Sequence, residues 1–245
     1  MSVVLLGSAV PLDKAMVHFH PCDYFPHIYS LAGCFSFTPF IPTEVVKKAK
    51  SLAIEFFFSL PCKGTALPKS TTLIGWQHPP TGYAKLNTDG SVLGNPGPAS
   101  SGGLLRDCNG NWIGGFSHKL GITNSLAAEL WGIREGLLLA RDLNIRKLIV
   151  ESDAKSVVEL LKPVASDIFG SHPYSVLIND CRFLIQSFDE ATIQHAHHES
   201  NFCADLLAKE GHNLAKPFSV FSYPPHFVVS QLLMDIWGVS YPRML

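Results

Sequence analysis

KLNTDGSVLGNPGPASSGG, residues 85–103, is the stretch that decides the fold. The run YAKLNTD that leads into it alternates polar and apolar residues like a β-strand and ends at an acid, Asp89. A turn dense in glycine and proline follows, and the runs SSGGLLRD and NWIGGFSHKL then flank the turn DCNG as a hairpin. Two hairpin connections in a row predict an antiparallel meander of three strands.

Helix and strand patterns alternate after this meander. TNSLAAELWGIREGLLLARDLN is the strongest helix pattern, with Ser125 as its predicted cap, and KLIVES is an apolar run typical of a strand buried in parallel pairing. Two further helices, a last strand in ATIQHAH and a final helix in NFCADLLAKEGHNLA are predicted next. The order βββ-α-β-α-α-β-α predicts an α/β fold. Its mixed five-stranded sheet would have three antiparallel strands, then two in βα arrangement, with helices packed on it.

The flanking regions have a different composition. Residues 1–78 are predicted to form an N-terminal extension, with one amphipathic helix in TEVVKKAKSLAIEFFFS and a proline-marked linker. Residues 79–216 are predicted to be the folded domain, and residues 217–245 a tail without clear periodicity.

Charge and cysteine usage limit the classes of function. The formal net charge is −1 and no dense lysine or arginine cluster occurs, so any nucleic acid should be bound weakly. The six cysteines form no C-x-x-C pair, which favours a reducing interior. The opening residues lack the positive region of a signal peptide, and no uncharged apolar stretch is long enough to span a membrane. We therefore expect an intracellular monomer of the nucleus or cytoplasm, without membrane contact.

Four acids stand at positions where chemistry is common, although each also has an ordinary explanation. Asp89 could be a turn acid, and Glu129 a surface residue at the edge of an apolar helical stripe. Asp153 follows the buried strand, where α/β sheets place ligands, but it could cap a helix, and Glu151 competes with it. Asp205 in a first helical turn is favoured there by the helix dipole alone. Taken together, four converging carboxylates fit magnesium.

Four motifs carry a family resemblance: TDGSVLGNPGPASSGGLLRD, AAELWGIREGL, VESDA and QHAHHESNFCADLLAKEG. In this order they resemble the first strand and hairpin, the first helix, the third acid and the histidine-bearing loop of the ribonuclease H family, in its type 1, reverse-transcriptase-like form. The resemblance covers about residues 83–212 and implies a ribonuclease H-like fold. The segment AELWGIREGL and the tail segment FVVSQLLMDIWGVSYPR most resemble plant ribonuclease H-like proteins. These are related to the polyproteins of non-long-terminal-repeat retrotransposons.

The resemblance also implies roles for individual residues. It makes Asp89, Glu129, Asp153 and Asp205 both metal ligands and catalytic residues, and His195 the catalytic histidine. Mg²⁺ is the implied cofactor, with Mn²⁺ as the alternative. His198 matches a second polar position of the same loop. The implied nucleic-acid-binding residues are Gly90, Ser91, Gly94, Asn95, Gly97, Asn124 and Ser125.

The implied activity is a metal-dependent endonuclease that hydrolyses the RNA strand of RNA–DNA hybrids with two metal ions. Two departures from the family favour an alternative. The basic protrusion that some of its members use to grip a hybrid is missing from KPVASDIFGSHPYS, and the N-terminal extension shows no hybrid-binding module. The alternative is a non-cleaving nucleic-acid or protein interaction module derived from a mobile element, with the extension as the contact for a protein partner.

Overall fold

The computed structural model describes residues 71–162 and 172–244. The strands are β1 (Thr71–Ile74), β2 (Ala84–Val92), β3 (Gly97–Arg106), β4 (Trp112–Thr123), β5 (Lys147–Ser152), β6 (Glu190–His195), β7 (Phe218–Phe221) and β8 (Tyr241–Met244). The helices are α1 (Ser125–Asp142), α2 (Lys155–Leu161), α3 (Ser175–Gln186), α4 (Phe202–Glu210) and α5 (His226–Ile236). The predicted amphipathic helix at residues 43–59 lies outside the described residues.

The main sheet has the strand order β6-β5-β2-β3-β4-β7. Strands β2, β3 and β4 form the predicted antiparallel meander, while β5 pairs parallel with β2 and β6 parallel with β5. This arrangement confirms the predicted mixed α/β fold. The sheet gains a sixth strand because β7 pairs antiparallel with the outer edge of β4.

Helix α1 packs on one face of the sheet through its apolar stripe. Leu130, Ile133 and Leu137 are fully buried there, together with Leu86 of β2. Burial of this stripe is the main force that holds the helix in place. The predicted cap is wrong by one residue: Asn124 accepts the hydrogen bond from the Ala127 backbone N–H, at 3.0 Å. Ser125 is the first helical residue instead.

The opposite face of the sheet carries α4 and α5. Helix α4 lies so close to β3 that a Cβ on Gly102 would stand 2.3 Å from the backbone nitrogen of Ala208. Leu104 of β3, Leu207 of α4 and Val228 of α5 belong to one buried apolar cluster on this face. Both helices are therefore integral to the packing of the described structure.

Elements β1, β7, α5 and β8 were not predicted. Their strands have only four residues each, too few to show alternation against proline and aromatic neighbours, and β1 pairs with β8 across more than 160 residues of chain. The division of the chain at residues 78 and 216 stays a prediction. Among the described helices, none combines the length and the apolar character needed to cross a membrane.

Candidate functional site

Three of the four predicted acids meet at one end of the main sheet. Asp89, Glu129 and Asp153 each offer a carboxylate oxygen, and these atoms all lie within 4.8 Å of one another. Asp89 lies inside β2, which continues to Val92 rather than ending at the acid. Asp153 follows the last residue of β5, and the parallel pairing of β2 with β5 brings their ends together. The residue at the start of α2 is Ala154, so Asp153 is not the helix cap.

Glu129 reaches this group because α1 crosses β2 at very short distance. A Cβ on Gly90 would stand 2.6 Å from the backbone nitrogen of Glu129, so only glycine permits this approach. The Ser152 hydroxyl donates to Glu129 Oε2 at 3.3 Å, and the Gly90 backbone also hydrogen-bonds the carboxylate. The side chain of Glu129 is therefore aimed at the sheet end by backbone packing and oriented by two donors.

Asp205 lies beside this group but does not join it at the same distance. It occupies the first turn of α4, as predicted, and its Oδ2 accepts from Lys209 Nζ at 2.8 Å. Its negative charge nevertheless acts on Asp89, since it is one of the causes that raise the Asp89 pKa. The four acids thus share one electrostatic environment, with Asp205 at its margin.

The most buried acids of the site are held against other negative charges. Burial, and then the charges of Glu129, Asp153 and Asp205, raise the pKa of Asp89 well above its usual value. Burial and the charge of Asp153 raise the pKa of Glu129 to about 8. Such mutual repulsion costs folding free energy whenever the acids are ionised.

This repulsion predicts a pH dependence of stability in metal-free buffer. The folded-state pKa of Glu129, about 8, lies above the ordinary value of 4.5, so between these values the folded protein binds more protons than the unfolded chain. The free energy of unfolding should therefore fall as the pH rises from about 4.5 to about 8. Glu129→Gln, which carries no charge, should reduce that fall when urea unfolding is measured with a chelator at pH 5.5 and pH 8.

Glu159→Gln is the control, because Glu159 is exposed and paired with Lys162 at 2.7 Å. It should keep the wild-type fall in stability between pH 5.5 and pH 8. If the free energy of unfolding of Glu129→Gln fell as much as that of the wild type, ionisation of Glu129 would not be the cause of the fall.

The histidine loop lies against Asp153. His195 Nε2 stands 3.1 Å from the backbone carbonyl oxygen of Asp153, and His198 Nδ1 stands 3.0 Å from its carboxylate Oδ2. This hydrogen bond, followed by neighbouring negative charges, raises the pKa of His198. No sequence signal indicates this contact of His198 with an acid, since the resemblance implies only a polar loop position there. His197 packs edge-on against His195, with ring centroids 5.3 Å apart.

The predicted nucleic-acid-binding residues gather near the same end of the sheet. Asn95 accepts from the Ser125 backbone N–H at 3.1 Å and donates to the Ser125 hydroxyl at 3.3 Å, which joins the β2–β3 turn to the start of α1. Gly94 in that turn has φ +90°, a conformation that L side chains rarely adopt. Asn124 is committed to capping α1 and also donates to the Tyr174 hydroxyl at 2.7 Å.

Gly97 and Ser91, two more of these predicted residues, lie on either side of the turn. A Cβ on Gly97 would stand 2.1 Å from the Leu93 carbonyl oxygen, so the turn itself requires glycine there. Ser91 Oγ lies 3.1 Å from His212 Nε2. The turn and the start of α1 therefore form one connected surface next to the acids.

Glu151, the competitor of Asp153, is engaged elsewhere. Its carboxylate accepts from Lys85 at 2.7 Å, Asn87 at 2.9 Å and Gln194 at 2.8 Å. It is buried in this hydrogen-bonded network and is not among the three grouped acids. The geometry thus separates two acids that lie only two residues apart.

The grouped acids suit a divalent cation with hard-oxygen preference. Carboxylate oxygens are the protein ligands that Mg²⁺ and Mn²⁺ favour, and a bound cation would remove the repulsion that raises the pKa of Asp89 and Glu129. The donor set and the electrostatics of Asp89, Glu129 and Asp153 therefore fit such an ion.

Comparisons with known proteins match this chain to a reverse transcriptase-like family and to a ribonuclease H protein. A family model described as reverse transcriptase-like matches residues 87–211. A curated Arabidopsis thaliana protein, provisionally named a ribonuclease H protein, is 39% identical over 180 residues, which is 74% of this chain. The chain spans only 28% of the length of that relative.

Solved structures with a similar fold include one archaeal and one bacterial protein. RNase H1 of Halobacterium salinarum has 24% identity and a TM-score of 0.49, over 54% of this chain and 98% of its own. The N-terminal RNase H domain of a Mycobacterium tuberculosis protein has 25% identity and a TM-score of 0.48, over 54% of this chain and 94% of the matched chain.

Proposed function

Because this chain belongs to the reverse transcriptase-like family, whose model matches slightly more than half of it, we propose that it is a metal-dependent endonuclease. Its substrate would be the RNA strand of an RNA–DNA hybrid, and its reaction would use two divalent cations, Mg²⁺ or Mn²⁺. The observation that carries the proposal is the group of Asp89, Glu129 and Asp153 with carboxylate oxygens within 4.8 Å. Buried like charges at this separation are costly unless a cation binds them.

Asp89, Glu129 and Asp153 would hold the cations, with Asp205 completing the set. When bound, the ions would activate a water molecule and stabilise the leaving oxygen of the RNA strand. The protein orients the ligands beforehand, since the Ser152 hydroxyl holds Glu129. A ligand fixed in this way loses less conformational entropy when it binds a cation.

The hybrid would lie across the turn between β2 and β3 and the start of α1. There the backbone of Gly94 is exposed and open to close approach, Gly97 closes the turn, and the polar groups of Asn95 and Ser125 are exposed. Recognition of RNA would depend on its 2′-hydroxyl groups, which DNA lacks. Binding would be weak, since the formal net charge of the chain is −1 and few phosphates can be neutralised.

His195 would move protons rather than bind metal. Its ring is exposed beside the acids, with Nε2 3.1 Å from the Asp153 carbonyl oxygen. A histidine in this position can pass a proton to the departing oxygen and assist release of the product. His198 would orient Asp153 through its 3.0 Å contact with the carboxylate.

The second candidate is a module that binds nucleic acid or protein without cutting. The observation that favours it is the ion pair of Asp205 with Lys209, because one of the four acids is already neutralised. Binding alone does not require a buried group of three acids, so cleavage is the better supported function.

Cleavage of a labelled RNA–DNA hybrid by the full chain, with and without Mg²⁺, tests the proposal. We expect RNA-strand fragments only when the metal is present, and none from duplex DNA of the same sequence. Absence of cleavage with both Mg²⁺ and Mn²⁺, in protein shown to be folded, would favour the interaction module.

His195→Ala should slow cleavage without removing it. A general acid–base group contributes about 10²-fold at the low end, so kcat should fall by about that factor. Mn²⁺ binding, measured by calorimetry, should stay at the wild-type affinity because His195 is not a proposed ligand. Loss of Mn²⁺ binding would show that the histidine had been given the wrong role.

A further inference from the structure

A fully buried asparagine, Asn87, links its own strand β2 to four other parts of the chain close to the candidate site. Its Oδ1 accepts from Trp76 Nε1 at 3.0 Å and from Arg106 Nη2 at 2.6 Å. Its Nδ2 donates to Glu151 Oε2 at 2.9 Å and to Asn201 Oδ1 at 3.3 Å. We call these five residues the Asn87 cluster, and each of them is at least nine-tenths buried.

The four hydrogen bonds use the whole capacity of the amide. A carboxamide has one oxygen that accepts two hydrogen bonds and one nitrogen that donates two. An aspartate of nearly the same shape would present an oxygen, instead of an N–H, to the Glu151 carboxylate and to Asn201. The position is therefore specific for asparagine for a chemical rather than a steric reason.

The partners of Asn87 lie on the same chain segments as the proposed metal ligands. Asn87 is two residues before Asp89 on β2, and Glu151 is two residues before Asp153 at the end of β5. Asn201 is the residue that precedes α4, which carries Asp205 in its first turn.

Asn201 adds a second link to the strand of Asp89. Its Nδ2 donates to the Thr88 backbone carbonyl at 2.9 Å, directly before Asp89. Side-chain hydrogen bonds therefore link β2, the end of β5 and the start of α4. The residues that make these bonds lie one to four positions along the chain from Asp89, Asp153 and Asp205.

The cluster is also anchored from outside the meander. Arg106 forms a buried ion pair with Asp235 of α5 at 2.6 Å, and its guanidinium stacks 3.8 Å from the centre of the Trp76 ring. Lys85 and Gln194 donate to the remaining oxygen of Glu151. The two charged members, Arg106 and Glu151, therefore each have an ion-pair partner of their own.

We propose that Asn87 is a positioning residue that sets the relative placement of Asp89, Asp153 and Asp205. This inference rests on the proposed function, since it concerns the acids assigned there to metal binding. The side-chain hydrogen bonds of Asn87 go to none of these three acids and to no residue of the β2–β3 turn. Loss of Asn87 should therefore weaken cation binding and lower kcat, while the KM for the hybrid stays near the wild-type value.

The test compares Mn²⁺ binding by calorimetry in full-length variants whose folding is checked by circular dichroism. Asn87→Asp should weaken Mn²⁺ binding by about 10-fold or more, the range typical for groups that orient metal ligands. Asn87→Asp with Glu151→Gln should recover part of this affinity, because the glutamine can donate to the new carboxylate and the net charge is restored. Wild-type affinity in folded Asn87→Asp, or no recovery in the double variant, would overturn the proposal.

Asn87→Ser serves if Asn87→Asp does not fold. It introduces no charge but cannot make all four bonds, so it should weaken Mn²⁺ binding in the same direction, and wild-type affinity would again overturn the proposal. Ser117→Ala is the matched control, because the buried Ser117 hydroxyl donates to the Leu207 carbonyl at 2.7 Å and joins β4 to α4. It should lose stability but keep Mn²⁺ affinity; an equal loss of affinity would overturn the proposal by showing that any buried defect has this effect.

The same measurements separate this inference from the proposed function. If the Asn87 variants bind Mn²⁺ more weakly than the wild type but the wild type cuts no hybrid, the endonuclease proposal is overturned and the positioning role is supported. Wild-type protein that binds no Mn²⁺ would overturn both.

Discussion

Asp89→Asn is expected to abolish Mg²⁺-dependent cleavage of an RNA–DNA hybrid while leaving the fold intact. The asparagine keeps the shape of the side chain but removes the charge that a hard cation needs. Metal ions contribute several kcal/mol of transition-state stabilisation, and about 1.4 kcal/mol corresponds to a tenfold change in rate. The loss should therefore be about 10³-fold or greater, measured as initial rates on a labelled hybrid.

The same variant should be at least as stable as the wild type in the presence of a chelator. Burial and three neighbouring acids raise the pKa of Asp89, so removing its charge relieves repulsion rather than breaking a favourable contact. Asp180→Asn is the control, since Asp180 pairs with Arg134 and is not among the grouped acids, so its substitution should leave cleavage unchanged. Cleavage by Asp89→Asn near the wild-type rate would contradict the metal-ligand role.

Asp235→Ala should cause a large loss of stability, because it breaks a buried ion pair. Asp235 and Arg106 form an ion pair with side chains that are 3% and 0% exposed. Removing one partner of such a pair leaves an uncompensated buried charge, which costs about 3–5 kcal/mol. For a domain of this size the melting temperature should fall by about 6–20 °C, measured by thermal unfolding at pH 7.

Asp180→Ala provides the matched control for this experiment. The Arg134–Asp180 pair joins two helices, whereas Arg106–Asp235 joins a strand to a helix. Asp180 is 39% exposed, so its loss should cost less than about 1 kcal/mol. Equal effects of Asp235→Ala and Asp180→Ala would mean that the buried pair does not anchor α5. A large effect confined to Asp235→Ala would identify the region after residue 216 as part of the folded unit.

Local sequence patterns were sufficient for most of the sheet and its helices. The alternation in YAKLNTD, the turn DCNG and the apolar run KLIVES each reflect a short-range property, either side-chain period or turn chemistry. The predicted β5, Lys147–Ser152, agrees with the structure at both ends. Position along the chain also identified Asp89, Glu129 and Asp153, which the fold brings within 4.8 Å.

Long-range contacts could not be predicted from local sequence patterns. The four-residue strands β1 and β8 form because they pair with each other, and α5 is held through an ion pair between residues 129 positions apart. Strands β1 and β8 are too short to show alternation without each other, and the apolar positions of α5 do not indicate what the helix packs against. Their existence is decided by tertiary packing.

The sequence by itself determined which acids are available, on which strand or helix each lies, and that their carboxylate oxygens are suited to a hard cation. Chain position left Glu151 and Asp153 as competitors and the family resemblance selected Asp153, but only the tertiary structure supplies the physical difference between them, which lies in their partners rather than in their pattern. Glu151 is satisfied by Lys85, Asn87 and Gln194. Asp153 faces other acids, and that difference arises from which strands and side chains the fold brings together.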